Sequence, residues 1–349
     1  MSLEFMDGFD HYSTGNMPQK GWVGGGGGMA TGRFGGQAWN TFNNATSSYL
    51  LPAGSLATRI VGIAFNPGNT PGNISSLNNL ITLFDTTANT AGTQLQFRIV
   101  TGFIQVVRGV SGSGGTVLAT ASTGPTLKNN TWYYLEIKAT IGASGSVQVN
   151  ISDGVASTTI INISGVNTQN TANATFNGIW LNGDYLSGFA TQYDDLYVCT
   201  TAGAVNNTFL GESRVTPIWM SSNGHSTQWT PLTSTNVSQI NETLVDDDTS
   251  YNLSSTVGQI DAFVPRNLGT TTPILAVQTN LTARKDDVGA RSIAADVYDG
   301  TTDHINANSH GLLSSYTDFL DVYETDPSTS AQWTQSGFNA RQFGYKMIS

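Results

Sequence analysis

The sequence predicts an all-β chain of two domains, and three observations carry the prediction. A central stretch, Thr131-Trp132-Tyr133-Tyr134-Leu135-Glu136-Ile137-Lys138-Ala139-Thr140-Ile141, alternates in period two, with Tyr133, Leu135, Ile137 and Ala139 on one parity. Short strand-like runs recur at regular spacing between Gly- and Asn-bearing turns. No segment before residue 200 keeps a helical period over three turns.

At 349 residues the chain exceeds the usual single-domain size, and its 38% apolar content suffices for a core in each half. Only 11% of the residues are charged, and the surface is therefore rich in hydroxyls and amides. The formal charge of -10 with no basic stripe excludes a phosphate-backbone partner, so no nucleic acid is expected. The one cysteine, Cys199, lies in a strand-like run and reads as an inert buried thiol. Residues 1–10 show no basic region followed by an apolar run, and no stretch has the length to cross a bilayer. The expectation is synthesis in a cytosol, with assembly into a particle as one route out and no membrane insertion.

Taken in order, Phe5-Met6-Asp7-Gly8-Phe9-Asp10-His11-Tyr12 opens as a short strand. The five glycines Gly24 to Gly28 lack the strand, helix and Lys-Ser/Thr pair of a phosphate loop and read as a flexible loop. Short strands follow around Phe34, Gln37-Ala38-Trp39 and Ser48-Tyr49-Leu50-Leu51, then a clear one over 58–65 closed by the turn Asn66-Pro67-Gly68-Asn69. Further strands cover 80–84, 95–100 and 103–108, the last two joined by Thr101-Gly102, a tight-hairpin signal. After the central strand, Gly142-Ala143-Ser144-Gly145 turns the chain into Val147-Gln148-Val149-Asn150-Ile151. Runs at 158–163, 176–181 and 192–198 complete a sandwich whose inward faces need a second sheet.

The opening Asp7-Gly8-Phe9-Asp10, the central Trp132-Tyr133-Tyr134-Leu135-Glu136 and the closing Tyr193-Asp194-Asp195-Leu196-Tyr197 together resemble the laminin-G/concanavalin-A-like jelly roll over about residues 1–201. The opening, with Gly32-Arg33-Phe34-Gly35-Gly36-Gln37-Ala38 after it, is further similar to tailed-bacteriophage virion structural proteins. That resemblance implies a non-enzymatic component of a tail, baseplate, fibre or capsid decoration. It also implies localisation in a virion assembled in the host cytoplasm, other virion proteins as partners, and a homo-oligomer with a trimer favoured.

Residues 202–209 read as a linker and 210–349 as a second, smaller β-sandwich. Its strands are expected over 255–264, 274–285, 292–298 and 319–324 and in the closing Gln342-Phe343-Gly344-Tyr345-Lys346-Met347-Ile348, with Trp333 and Phe338 beneath that last strand. Asn236 with Val237, Ile240 and Leu244 suits either a short helix or a loop.

Among candidate sites, glycosidase chemistry is disfavoured, because Glu136, Glu212, Glu242 and Glu324 stand singly and paired carboxylates are missing. Asp194 and Asp195 are the metal candidates, hard oxygen ligands for calcium if any cofactor binds; the alternative is hydrogen bonding to a neighbouring turn. Asp246-Asp247-Asp248 lacks calcium-loop spacing and reads as a solvated bend. Asp299, Asp303, His304 and His310 fall short of a zinc spacing, and the histidines, His11 and His225 included, have no evident partners. Trp132 and Trp180 fall in strands and are expected in the core, whereas Trp22 and Trp39 are the candidates for carbohydrate stacking, Trp22 being the loop residue expected at the surface.

Two readings follow: the virion structural protein, and a carbohydrate-binding or glycan-cleaving jelly-roll module. They overlap where an appendage carries a face for a host-surface glycan.

Overall fold

In the computed structural model the alternating central run forms the strand Tyr133–Thr140, paired on one side with Gly145–Ser152 and on the other with Thr58–Asn66. The structure describes the whole chain except residues 42–44, 69–71, 75, 76, 87, 90, 110–114, 183–189, 270 and 271. Among the described residues nearly everything regular is strand, and the all-β expectation holds.

Two units are defined by the chain's internal contacts. The first comprises Met1–Asp10 and Trp22–Val215; the second comprises His11–Gly21 and Thr216–Ser349. The division thus falls after Val215 and not at the 202–209 linker, because residues 200–215 bond to the first unit.

The first unit is a jelly roll of two antiparallel sheets. An eight-stranded sheet runs Ser157–Val166, Gly145–Ser152, Tyr133–Thr140, Thr58–Asn66, Gln192–Thr200, Gln37–Asn40, Gly28–Thr31, with Leu3–Asp7 also on Gln192–Thr200. A seven-stranded sheet runs Thr116–Thr120, Phe103–Arg108, Thr93–Val100, Asn78–Phe84, Gly178–Leu181, Thr46–Leu50, Trp22–Gly25. Alternate residues supply the core: Ile63, Phe65, Leu135 and Ile137 from one sheet meet Leu83, Leu95, Phe97 and Ile179 from the other, all buried. Such burial removes most of each side chain from water, about 1.5–3 kcal/mol apiece. Thr101 and Gly102 both have positive φ, which matches the twist of the strands they join.

The glycine run is not a flexible loop. Trp22–Gly25 and Gly28–Thr31 are strands of different sheets, and the run carries the chain from one sheet to the other. Gly24, Gly26 and Gly27 have positive φ, and a Cβ on Gly27 would overlap the Asn40 carbonyl oxygen. Close backbone approach is what requires glycine here.

In the second unit a six-stranded sheet runs Met220–Thr227, Ile260–Pro265, Gln342–Met347, Ser292–Tyr298, Asp303–Ile305, with His310–Gly311 also on Ser292–Tyr298. A hairpin of Val277–Ala283 and Thr317–Tyr323 forms a separate ladder. Trp333, Phe338 and Phe343 make an aromatic core with Val297, so the two aromatics do lie against the last strand. Phe338 lies in the short helix Gln335–Asn339, capped by the Thr334 side chain, which accepts from Gly337 N. Asn236–Gln239 is a single 3-10 turn held by a reciprocal capping box between Thr235 and Ser238.

Candidate functional site

A jelly roll offers two outer sheet faces, and here the middle residues of both are buried, Tyr134 and Glu136 on one and Thr82, Gln96 and Arg98 on the other. On the eight-stranded sheet the outer row holds Tyr134 and Glu136, with Tyr197 lying flat over Gly62, where a Cβ would overlap its ring. Residues 210–215 cross this row. Leu210 N donates to the Tyr197 hydroxyl at 3.1 Å, Gly211 N to Glu136 Oε1 at 2.8 Å and Val215 N to Asp195 Oδ1 at 2.8 Å. Glu212 pairs with Arg33 and accepts from Ser152 Oγ at 2.5 Å.

The metal candidates lie under this crossing. Asp194 and Asp195 sit at a bulge where Gln192–Thr200 exchanges one neighbour, Gln37–Asn40, for another, Leu3–Asp7, and Asp195 has φ 51°. Asp194 accepts from Arg33 N and from Asp195 N, both at 2.8 Å. These carboxylates therefore hold backbone amides, and their burial, with their mutual repulsion, raises the Asp194 carboxyl above the usual range. Burial likewise raises Asp195. Among the described residues no three His, Cys, Asp or Glu side chains converge to hold a metal ion. Asp246, Asp247 and Asp248 lie around a 3-10 turn, and Asp248 bonds Arg284 at 2.7 Å. The histidines do have partners: His11 with Lys20 and Asn280, both at 3.2 Å, His225 with Asp303 at 2.9 Å, His304 with Asp299 at 2.8 Å and His310 with Asp321 at 2.9 Å.

The outer face of the seven-stranded sheet is built differently. Leu95, Phe97 and Ile99 point into the core, which puts Gln94, Gln96 and Arg98 on the outer parity, where all three are nonetheless buried. Across the ladder Gln105 stands opposite Arg98, and Thr82 opposite Gln96. A hydrogen-bonded row results. Gln105 Nε2 donates to Thr120 Oγ1 at 2.8 Å, and Gln105 Oε1 accepts from Arg98 Nε at 2.9 Å and Nη2 at 2.6 Å. One register step away, Thr82 Oγ1 accepts from Asn182 Nδ2 at 3.0 Å and from Gln96 Nε2 at 3.4 Å. Gln94 closes one end by bonding Thr171, Asn173 and Thr175.

Two acceptors in this row are left over: Gln96 Oε1 and Asn79 Oδ1 are buried without a hydrogen-bond partner. Burial lowers the Arg98 guanidinium from its ordinary value, so this cation sits in a poorly hydrated setting. Beside the row Trp180 stands opposite Thr82 and Ser48, half-buried and flanked by Val23 and Leu50, which are 65% and 56% exposed. Amide, hydroxyl and guanidinium groups next to an accessible indole suit a ligand with hydroxyl edges and an apolar face.

The tryptophans thus exchange roles. Trp22 is 1% exposed, packs on Phe5, Phe9 and Tyr49, and donates to Asp7 Oδ2 at 2.9 Å. Trp39 is fully buried against Tyr193. Neither can stack on a sugar; both lie on the inward parity of their strands. Trp132 precedes the first ladder residue, Tyr133, and is only half-buried, and Trp180 faces outward. Gln96, Arg98 and Gln105 escape notice in the sequence, although Leu95-Gln96-Phe97-Arg98-Ile99 displays the alternation that puts an amide and a guanidinium on one face.

Compared with known protein families and with curated protein sequences, the chain matches none. Among solved structures it is similar to the alginate lyase Aly36B, at 11% identity and TM-score 0.42 over 56% of this chain and 96% of that one. It is similar to the PL-14 alginate lyase from the marine Aplysia kurodai, at 10% identity and TM-score 0.44 over 57% and 100%. The exoplasmic/lumenal domain of VIP36 in its Ca2+/Man3GlcNAc-bound form is similar at 13% identity and TM-score 0.39 over 59% and 94%. The expectation of a non-enzyme is corrected by this comparison, since two of these three proteins are lyases by name.

Proposed function

We propose that the first unit is a carbohydrate-binding jelly-roll module whose glycan-facing surface is the outer face of the seven-stranded sheet. The observation that carries this reading is the pair of polar groups Thr120–Gln105–Arg98 and Gln96–Thr82–Asn182 on one sheet face, with Gln105 and Thr120 accessible, beside the half-buried Trp180. Along a glycan lying across the strands, hydroxyls bond the half-buried Gln105 and the exposed Thr120 while a pyranose C–H face rests on the indole, and the buried Arg98 fixes the Gln105 amide. On the other outer face residues 210–215 bond Tyr197, Glu136 and Asp195, and among the described residues no strand of that sheet carries a half-buried indole.

The setting we propose is a phage particle, on the strength of the opening residues' resemblance. There the module would meet a host-surface glycan. Calcium belongs to this reading as a condition to vary, not as an assigned ligand.

The test is binding of the full chain to a panel of neutral and acidic polysaccharides, with and without calcium, followed by release of reducing ends from whichever binds. Trp180→Ala and Arg98→Ala are expected each to weaken binding by at least about tenfold, near 1.4 kcal/mol. Binding that both substitutions leave unchanged, or no binding to any glycan, defeats the assignment. Release of new ends would add cleavage to recognition.

A further inference from the structure

The edge strand Met220–Thr227 of the second unit leaves its ladder halfway. Asn223 stands opposite Phe263 and Thr227 opposite Asp261, so Gly224, His225 and Ser226 bulge out against the single residue Ala262. Side chains seat the bulge instead. Gln342 Oε1 accepts from the His225 backbone N at 2.7 Å, which fixes the orientation of that amide, and the same oxygen lies 3.1 Å from His225 Nδ1. The imidazole stacks on Tyr298 with 3.6 Å between ring centroids, and its Nε2 lies 2.9 Å from Asp303 Oδ1. Both ring nitrogens face oxygens that only accept, and the seat fits the doubly protonated imidazolium.

Beside this pair lies a second carboxyl. Asp296 and Asp303 are diagonal neighbours on one face, since Asp296 pairs with Ile305 and Tyr298 with Asp303. Asp296 is fully buried, and neither of its oxygens meets a well-aligned hydrogen-bond donor. The Asp303 carboxyl can bond it only through a proton held between the two. Burial and the Asp303 charge push Asp296 up to about 7. Lys346, on the neighbouring strand Gln342–Met347, acts on Asp296 in the opposite sense, and the Tyr323 hydroxyl also lies within its field.

We propose that Asp296, Asp303 and His225 form a proton-operated clasp on the face of the six-stranded sheet away from Val297 and Phe343. With a proton between the carboxyls and an imidazolium beside them, the bulge of Met220–Thr227 is fastened; loss of those protons to water releases it. In the closed state the single charge on Asp303 faces a cation. Once both protons have gone, two carboxylates face each other beside a neutral ring that offers one N–H to two acceptors. Asp296 holds its proton above the 3.8 of an ordinary carboxyl, so the fastening is complete below that value and is lost as the pH rises through 7. Release uncovers the edge of Ile260–Pro265 that Met220–Thr227 covers.

The test is amide hydrogen exchange on the full chain, each rate divided by that of an unstructured peptide so that the pH dependence of exchange itself cancels. Protection at the His225 amide is expected to fall at least about tenfold between pH 5.5 and 8.5, since one proton released on opening shifts the equilibrium by about tenfold per pH unit. Val297 and Phe343, in the middle of the sheet, are expected to keep theirs. Asp296→Asn has no proton to lose there and is expected to reduce the fall at His225. Should that variant not fold, Asp303→Asn, at a half-buried position, replaces it with the same expectation. Unchanged protection at His225, or an equal fall in the variant, overturns the proposal. A matching fall at Val297 and Phe343 overturns it too, because the unit then opens as a whole.

Discussion

Trp22 shows how little a neighbouring glycine run says about where an indole points. Its ring fills the space between Phe5, Phe9 and Tyr49, and its N–H satisfies a buried carboxylate, so it serves stability and not recognition. Trp22→Ala is expected to destabilise the first unit by about 3–5 kcal/mol, as truncation of a large buried aromatic does; denaturant unfolding measures it. Trp180→Ala should leave the unfolding midpoint near the wild-type value while weakening glycan binding, and that contrast separates core from surface. The carboxyls near Arg33 make a second prediction. Burial pushes Asp10 up to about 6 and raises Asp194 and Asp195. In each case the folded state holds its proton more firmly than the unfolded chain, whose carboxyls titrate near 3.8. The resulting stability is complete below that value and is lost as the pH rises through 6 and beyond. The first unit should therefore melt higher at pH 5.5 than at pH 8.5, about which a thermal scan decides, and Asp194→Asn should flatten the difference.

Strands were more legible than the faces they present. Period two gave Tyr133–Thr140 and its hairpin partner within a residue or two, because one side of that strand is apolar and the other is not. The same rule misleads for Asp194 and Asp195, where a bulge breaks the register and turns both carboxylates toward backbone amides. A bulge has no composition of its own, and the sequence announces nothing there. The glycine run illustrates the converse: five glycines look like slack, yet each of Gly24 and Gly27 stands where a side chain would strike a neighbouring carbonyl oxygen. The site row was readable only in part, since alternation places Gln96 and Arg98 on one face but cannot say that Gln105 and Thr82 stand beside them. Gly62 lets the Tyr197 ring lie on the sheet beneath residues 210–215. Gly62→Ala should cost about 1–3 kcal/mol by overpacking, and hydrogen exchange at Leu210 and Gly211 should quicken as the tyrosine is displaced. Unchanged exchange at both amides would show that Tyr197 does not hold the segment.

For the whole molecule, the unit boundary is crossed at Asp10/His11, Gly21/Trp22 and Val215/Thr216, where a composition shift near 202–209 suggests one crossing. Residues 11–21 earn their place in the second unit through Gln19, whose carbonyl accepts from Asp318 N at 2.9 Å and whose side chain reaches Asp247. Contacts so distant in sequence leave no trace in local pattern. A fragment of residues 216–349 is accordingly expected to melt below the same unit in the full chain, with a peptide of residues 11–21 recovering part of the loss; differential scanning calorimetry with and without the peptide decides it.

That early loop also settles which parts of the protein would feel a pull. Tension applied between Met1 and Ser349 travels along the backbone from residue 10 into residues 11–21, which are seated in the second unit. Until that seat gives way, the only first-unit strands under load are Leu3–Asp7 and its partner Gln192–Thr200, and the seven-stranded sheet, with the face assigned to glycan, is not in the pulled backbone. An anchor of this kind would transmit force between its two ends while its grip remained slack.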